Sequence, residues 1–164
     1  MKKSIYFLSI ACLLFFYISC TNNNKTEISG VSSGDKSSSK KIEWLAINDG
    51  LAKAAAEKKF LLVDVYTDWC GWCKKMDDEV YSNASISEII SAKFIAAKFN
   101  PEKDGEVNYK NQKLTNREFA EKIIGVEGFP SLAVFSPTGD FTSKTAGYIP
   151  VDAFIQMLND IQSK

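Results

Sequence analysis

The sequence predicts an α/β domain, a mixed central sheet with helices on both faces, and three observations carry that prediction. Short apolar runs rich in β-branched and aromatic residues recur at 60–66, 94–99 and 131–135, the composition of buried strands. Segments with apolar residues at helical spacing separate or follow them. After the third run, Ser136-Pro137-Thr138-Gly139-Asp140 is a turn sequence from which 141–145 pairs back as an edge strand. Strands joined through helices pair in parallel and a tight hairpin pairs antiparallel, so the sheet is mixed.

Taken in order, Met1-Lys2-Lys3 and the apolar run at 5–18 have the form of a basic n-region and an h-region. That run is shorter than the ~20 residues a membrane-spanning helix needs, so a signal peptide is expected over 1–19. Residues 20–41 are dominated by Asn, Ser, Lys and Gly, the composition of a flexible polar tether that would reach roughly 25 Å as a coil. The folded domain is expected over 42–164. Trp44 reads as a core residue. Asn48 or Asp49 caps a helix through Lys58, with Leu51, Ala54 and Ala55 on one face. Strand 60–66 leads to Cys70 and Cys73, after which Met76 and Val80 continue a helix that breaks at 83–85. A short helix over 85–92 buries Ile86, Ile89 and Ile90, and strand 94–99 ends at Asn100-Pro101.

Residues 102–113 are polar and contain glycine, which reads as an exposed loop. Thr115-Asn116-Arg117-Glu118 has capping-box spacing and opens a helix with Phe119, Ile123 and Ile124, closed before Phe129-Pro130. Pro150 stands at the start of a last amphipathic helix carrying Phe154, Ile155, Leu158 and Ile161.

Composition excludes several functions. Lys+Arg and Asp+Glu are balanced at 20 each, which gives no phosphate-binding surface and argues against nucleic acid. The chain has no histidine, which removes Ser-His and Cys-His nucleophile pairs and His-containing metal sites. Of the four cysteines, Cys12 falls in the h-region and Cys20 at its end, leaving Cys70 and Cys73 as the pair within the domain. Two thiols separated by two residues at a strand-to-helix junction can close a small disulfide ring. A helix N-terminus there favours a thiolate. A structural staple is disfavoured because so small a ring constrains little chain entropy. No metal and no cofactor are expected, since no second thiol pair is present and Lys74 stands where covalent haem would need His.

The residues then resemble two families. Tyr17-Ile18-Ser19-Cys20 resembles the lipobox of bacterial lipoproteins, which implies cleavage before Cys20 and lipidation of its thiol; ordinary signal cleavage with an incidental Cys20 is the alternative. From about 42 onward the chain resembles the thioredoxin-fold thiol–disulfide oxidoreductases, which implies a thioredoxin-like three-layer sandwich. The resemblance rests on Trp69-Cys70-Gly71-Trp72-Cys73-Lys74, on Asp64 six residues before Cys70, and on Lys98. It also rests on Val126-Glu127-Gly128-Phe129-Pro130-Ser131 and on Gly147. It implies that Asp64 is a buried acid with Lys98 beside it, that Pro130 is cis, and that Gly147 leaves room for a bound peptide. Gly71-Trp72 between the cysteines and the long 102–113 connection depart from the family pattern, and Trp69-Cys70-Gly71-Trp72-Cys73-Lys74-Lys75 resembles the extracytoplasmic members.

The resulting expectation assigns Cys70 as nucleophile at the exposed helix end and Cys73, more buried, as the resolving thiol. Asp64, desolvated in an apolar strand, is the base for Cys73, and Lys98 tunes it. Trp69, Trp72, Phe129, Pro130 and Gly147 form the substrate surface, and Tyr148 stands near enough in sequence to line the same groove. The whole reads as an exported protein, lipid-anchored to a bacterial membrane and facing the periplasm. It would act as a monomer that reduces protein disulfides and draws electrons from a membrane thiol carrier. A disulfide oxidase or isomerase, or a non-catalytic thioredoxin-fold binding module, are the alternatives.

Overall fold

The computed structural model describes residues 41–163. The signal segment over 1–19, Cys12, Cys20 and the tether up to residue 40 lie outside the described residues.

The central strand β2 (Phe60–Val65) forms because four apolar residues, Leu61, Leu62, Val63 and Val65, are fully buried on its two faces. Each contributes roughly 1.5–3 kcal/mol of burial. It pairs in parallel with β3 (Phe94–Phe99) and antiparallel with β6 (Ser131–Phe135). Strand β1 (Trp44–Leu45) adds in parallel outside β3, and β7 (Phe141–Ala146) adds antiparallel outside β6. The order β1-β3-β2-β6-β7 is the expected mixed sheet.

The alternation of β2 sorts the core into two layers. Leu62 faces a cluster with Met76, Val80, Ile86, Ile90, Phe154 and Leu158. These residues come from α2 (Gly71–Lys75) and its continuation, α3 (Ala84–Lys93) and α5 (Val151–Gln162). Leu61, Val63 and Val65 face the other layer, with Phe119, Ile124 and α1 (Ile47–Glu57). Asp64 shares the face of Leu62, so it points to the side covered by the helix that follows the cysteines.

Three local expectations are corrected. Helix α1 is capped by Ala46 rather than by Asn48 or Asp49, with no side-chain cap bond. The Asn48 amide is used elsewhere, donating to the Glu106 carbonyl and accepting from the Asn108 N–H, both at 2.9 Å. Those partners belong to a hairpin, β4 (Glu106–Tyr109) and β5 (Gln112–Thr115), where 102–113 was expected to be a loop. Lys110 and Asn111 both take positive φ, 46° and 63°, the requirement of a two-residue turn whose twist suits a hairpin. Alternate residues Val107 and Tyr109 are buried, and the Tyr109 ring meets Phe119 and Phe135. The polar residues on the other face made this segment look like a loop. Third, the helix after the dithiol is not uniformly α: Met76–Tyr81 is π-helical, a wider turn that re-aims its side chains. The helix α4 (Asn116–Glu118) starts with the expected Thr115–Glu118 capping box and also runs on as a π-helical segment, Phe119–Ile124.

Candidate active site

Cys70 is the N-cap of α2, and its sulfur accepts the Cys73 backbone N–H at 3.0 Å. Its own N–H donates to the Thr67 carbonyl at 3.2 Å, which pins the turn leaving β2. Cys70 and Cys73 form a disulfide, with Cα atoms 5.3 Å apart. The expected difference in burial is not present: both cysteines are 4 % exposed. What distinguishes them is position. The Cys70 sulfur receives the Cys73 N–H, and Cys73 lies one turn inside. An N–H aimed at sulfur at a helix N-terminus stabilises a thiolate.

The rim is aromatic. Trp69 and Trp72 are 68 % and 57 % exposed, whereas large apolar side chains elsewhere among the described residues are covered. Trp69 meets Phe129 edge-on with centroids 5.9 Å apart, and its indole N–H donates to Glu102 at 2.8 Å. Trp72 packs on Tyr148 at 5.7 Å, with the Lys75 ammonium over both rings. The Tyr148 hydroxyl in turn donates to Glu79 at 2.7 Å. These pairs tie the cysteine loop to the two segments named in the sequence, Phe129-Pro130 and Gly147-Tyr148. The Phe129–Pro130 peptide is cis. The Gly147 N–H donates to the Pro130 carbonyl at 2.8 Å, and Gly147 takes φ 88°, a left-handed conformation that L side chains resist. A Cβ at Gly147 would meet only open space, so the backbone angle and not a clash is what favours glycine there.

Beneath the rim lies a buried ionic cluster. Asp64 is 1 % exposed in β2 and stands beside Lys98 in the parallel register of β3. Lys98 Nζ is 3.0 Å from Asp64 Oδ2 and also binds the Asp77 carboxylate. Burial raises the Asp64 carboxyl above the ordinary range, outweighing the Lys98 charge that acts against it. Burial opposes the charge on Lys98, but Asp64 and Asp77 together hold its ammonium above the usual lysine value. The Tyr81 hydroxyl is pushed well up, first by burial and then by Asp64. Asp64 Oδ2 and the Tyr81 hydroxyl are buried without a well-formed hydrogen bond, the Lys98 contact being an ion pair. Burial thus raises the proton affinity of this carboxyl, the direction a general base needs.

The structure therefore brings the sequence-predicted residues into two adjoining groups. One is the dithiol with Trp69, Trp72, Phe129, Pro130 and Gly147, and the other is Asp64 with Lys98. Sequence reasoning missed Asp77, Tyr81, Trp44 and Tyr66 around Lys98, and Glu102 on Trp69. The one available signal was the i, i+4 spacing of Asp77 and Tyr81 after Cys73. Trp44, read as plain core, has the Lys98 ammonium 5.1 Å from its ring.

A disulfide at a helix N-terminus, in an α/β domain that also holds a cis proline and a buried acid, marks a protein of the dithiol redox class. The comparisons agree. The thioredoxin-like domain model matches residues 47–162, and the chain belongs to that family. It is 30 % identical over 110 residues to a protein disulfide-isomerase of Zea mays, covering 67 % of this chain and 19 % of that protein. It is 23 % identical over 109 residues to the thiol:disulfide interchange protein DsbD of Actinobacillus pleuropneumoniae, covering 65 % and 17 %. The chain thus spans about a fifth of the length of these curated relatives. A thioredoxin of Thermus thermophilus shares the fold, with a TM-score of 0.61 at 20 % identity over 74 % of this chain and 88 % of that one.

Proposed function

We propose that this protein is a thiol–disulfide oxidoreductase that reduces protein disulfides while tethered outside the cytoplasm. The observation that carries the reading is the Cys70 sulfur, bonded to Cys73 and accepting its N–H at a helix N-terminus beside two exposed tryptophans.

In the reduced protein, the Cys70 thiolate attacks one sulfur of a substrate disulfide, forming a mixed disulfide and releasing the other sulfur as a thiolate. Cys73 gives its proton to Asp64, through water, and attacks the Cys70 sulfur. The mixed disulfide breaks, the Cys70–Cys73 bond forms, and the second substrate sulfur leaves and takes a proton. Two electrons pass from the dithiol to the substrate. A membrane thiol carrier restores the dithiol by the reverse exchange. Lys98 adjusts Asp64, while Trp69, Trp72, Phe129 and Gly147 receive an extended substrate segment against Pro130. The tether is read from the sequence alone: the signal-like segment over 1–19, the lipobox-like Cys20 and the polar spacer to residue 41 support a domain held at the periplasmic face of a bacterial membrane.

The relatives named protein disulfide-isomerase favour a second reading, the same exchange run as oxidation or isomerisation. The reduction potential separates the two. The first reading is tested by capture: Cys73→Ala retains the nucleophile and cannot resolve, so cells producing it accumulate mixed disulfides through Cys70. Their absence, with the variant folded and exported, overturns catalysis and leaves a binding module.

A further inference from the structure

Asp77 has no part in the chemistry above, yet it binds the lysine on which Asp64 relies. Lys98 Nζ lies 3.0 Å from Asp64 Oδ2 and in short contact with Asp77 Oδ1. The rings of Trp44 and Tyr66, each 5.1 Å away, and Tyr81, at 5.7 Å, hold the ammonium in place. The two carboxylates are unlike: the Asp64 side chain is 2 % exposed and that of Asp77 45 %. A groove of about 580 Å³, lined by Trp44, Asp77, Tyr81 and Lys98, opens beside them. The Asp77 carboxylate, on the open side of the pair, competes with Asp64 for the shared ammonium.

We propose that Asp77 is a positioning residue that draws the Lys98 ammonium away from Asp64 and thereby sets how firmly the buried acid holds its proton. Two effects have the same sign. Asp77 takes part of the positive charge that would favour ionised Asp64, and its own negative charge disfavours a second one nearby. The other groups facing the cluster are Tyr66 at the end of β2, Tyr81 on the π-helical segment and Lys41 at the groove mouth. The neighbour from β6, Leu132, is apolar. Cys70 and Cys73 do not titrate while joined, so the oxidised protein isolates the effect. The consequence for turnover rests on the proposed role of Asp64; the titration itself does not.

The test follows the carboxyl carbons of ¹³C-labelled aspartate by NMR in the oxidised protein, with Asp64→Asn assigning the Asp64 signal. Asp77→Asn is expected to lower the Asp64 midpoint by about one pH unit, and Asp77→Glu to restore it. An unchanged or raised midpoint in Asp77→Asn overturns the proposal. The pH dependence of mixed-disulfide resolution is then measured on the same variants. If the midpoint moves and the resolution profile does not, the Asp77 assignment stands and the base role of Asp64 falls.

Discussion

At the scale of single residues, Asp64 is where stability opposes the role proposed for it. A carboxyl among Leu62, Val63 and Val65 costs folding energy whenever it ionises, and the fold keeps it. Because burial raises its proton affinity, the folded state binds more protons than the unfolded chain between the ordinary carboxylate range and the raised folded value. Its contribution to stability is therefore full below the ordinary carboxylate range and falls as pH rises through the raised folded value. Asp64→Asn should remove that decline and stabilise the protein at neutral pH by about 1–3 kcal/mol, read by denaturant titration at several pH values. The same variant should slow resolution of mixed disulfides while Cys70 still attacks. Gly147 poses the simpler residue-scale question. Its φ of 88° predicts that Gly147→Ala loses about 1–2 kcal/mol, seen as a lower Tm, although a methyl group there meets nothing.

At the scale of elements, legibility followed the nature of the signal. Strands β2, β3 and β6 and the Thr115 capping box could be read because their residues carry local, repeated preferences. The hairpin β4–β5 could not, because Val107 and Tyr109, with a half-buried Leu114, are all that mark its inner face and its turn uses Lys110 and Asn111 rather than glycine. The π-helical turn over Met76–Tyr81 has no Pro or Gly to announce it, and the Asp77–Lys98 pair joins residues far apart in the chain. The dithiol motif, Asp64, Lys98 and Pro130 were legible; the partners that surround Lys98 were not. The hairpin also yields a prediction. Tyr109→Ala empties space against Phe119 and Phe135 and should cost about 3 kcal/mol, measured by chemical denaturation. Reduction of a small-molecule disulfide at permissive temperature should remain, because the hairpin packs in the layer opposite Asp64.

At the scale of the whole molecule, the two exposed tryptophans stand beside the Cys70–Cys73 pair in the chain, and the proposed function makes them its contact surface. Covering Trp69 and Trp72 on binding a protein substrate gains apolar burial that a small disulfide cannot supply. Trp72→Ala should raise KM for a protein disulfide by about tenfold and leave reduction of a small disulfide near the parental rate; an equal loss on both would assign Trp72 to the chemistry instead. The direction of electron flow belongs to this scale too, since it is set by the relative stability of the oxidised and reduced folds. The most direct measurement is the reduction potential of the Cys70–Cys73 pair, by equilibration with a thiol–disulfide buffer of known poise. A reductant of protein disulfides should lie near the thioredoxin value, about −270 mV, and a value near that of strong oxidants, about −120 mV, would contradict the account.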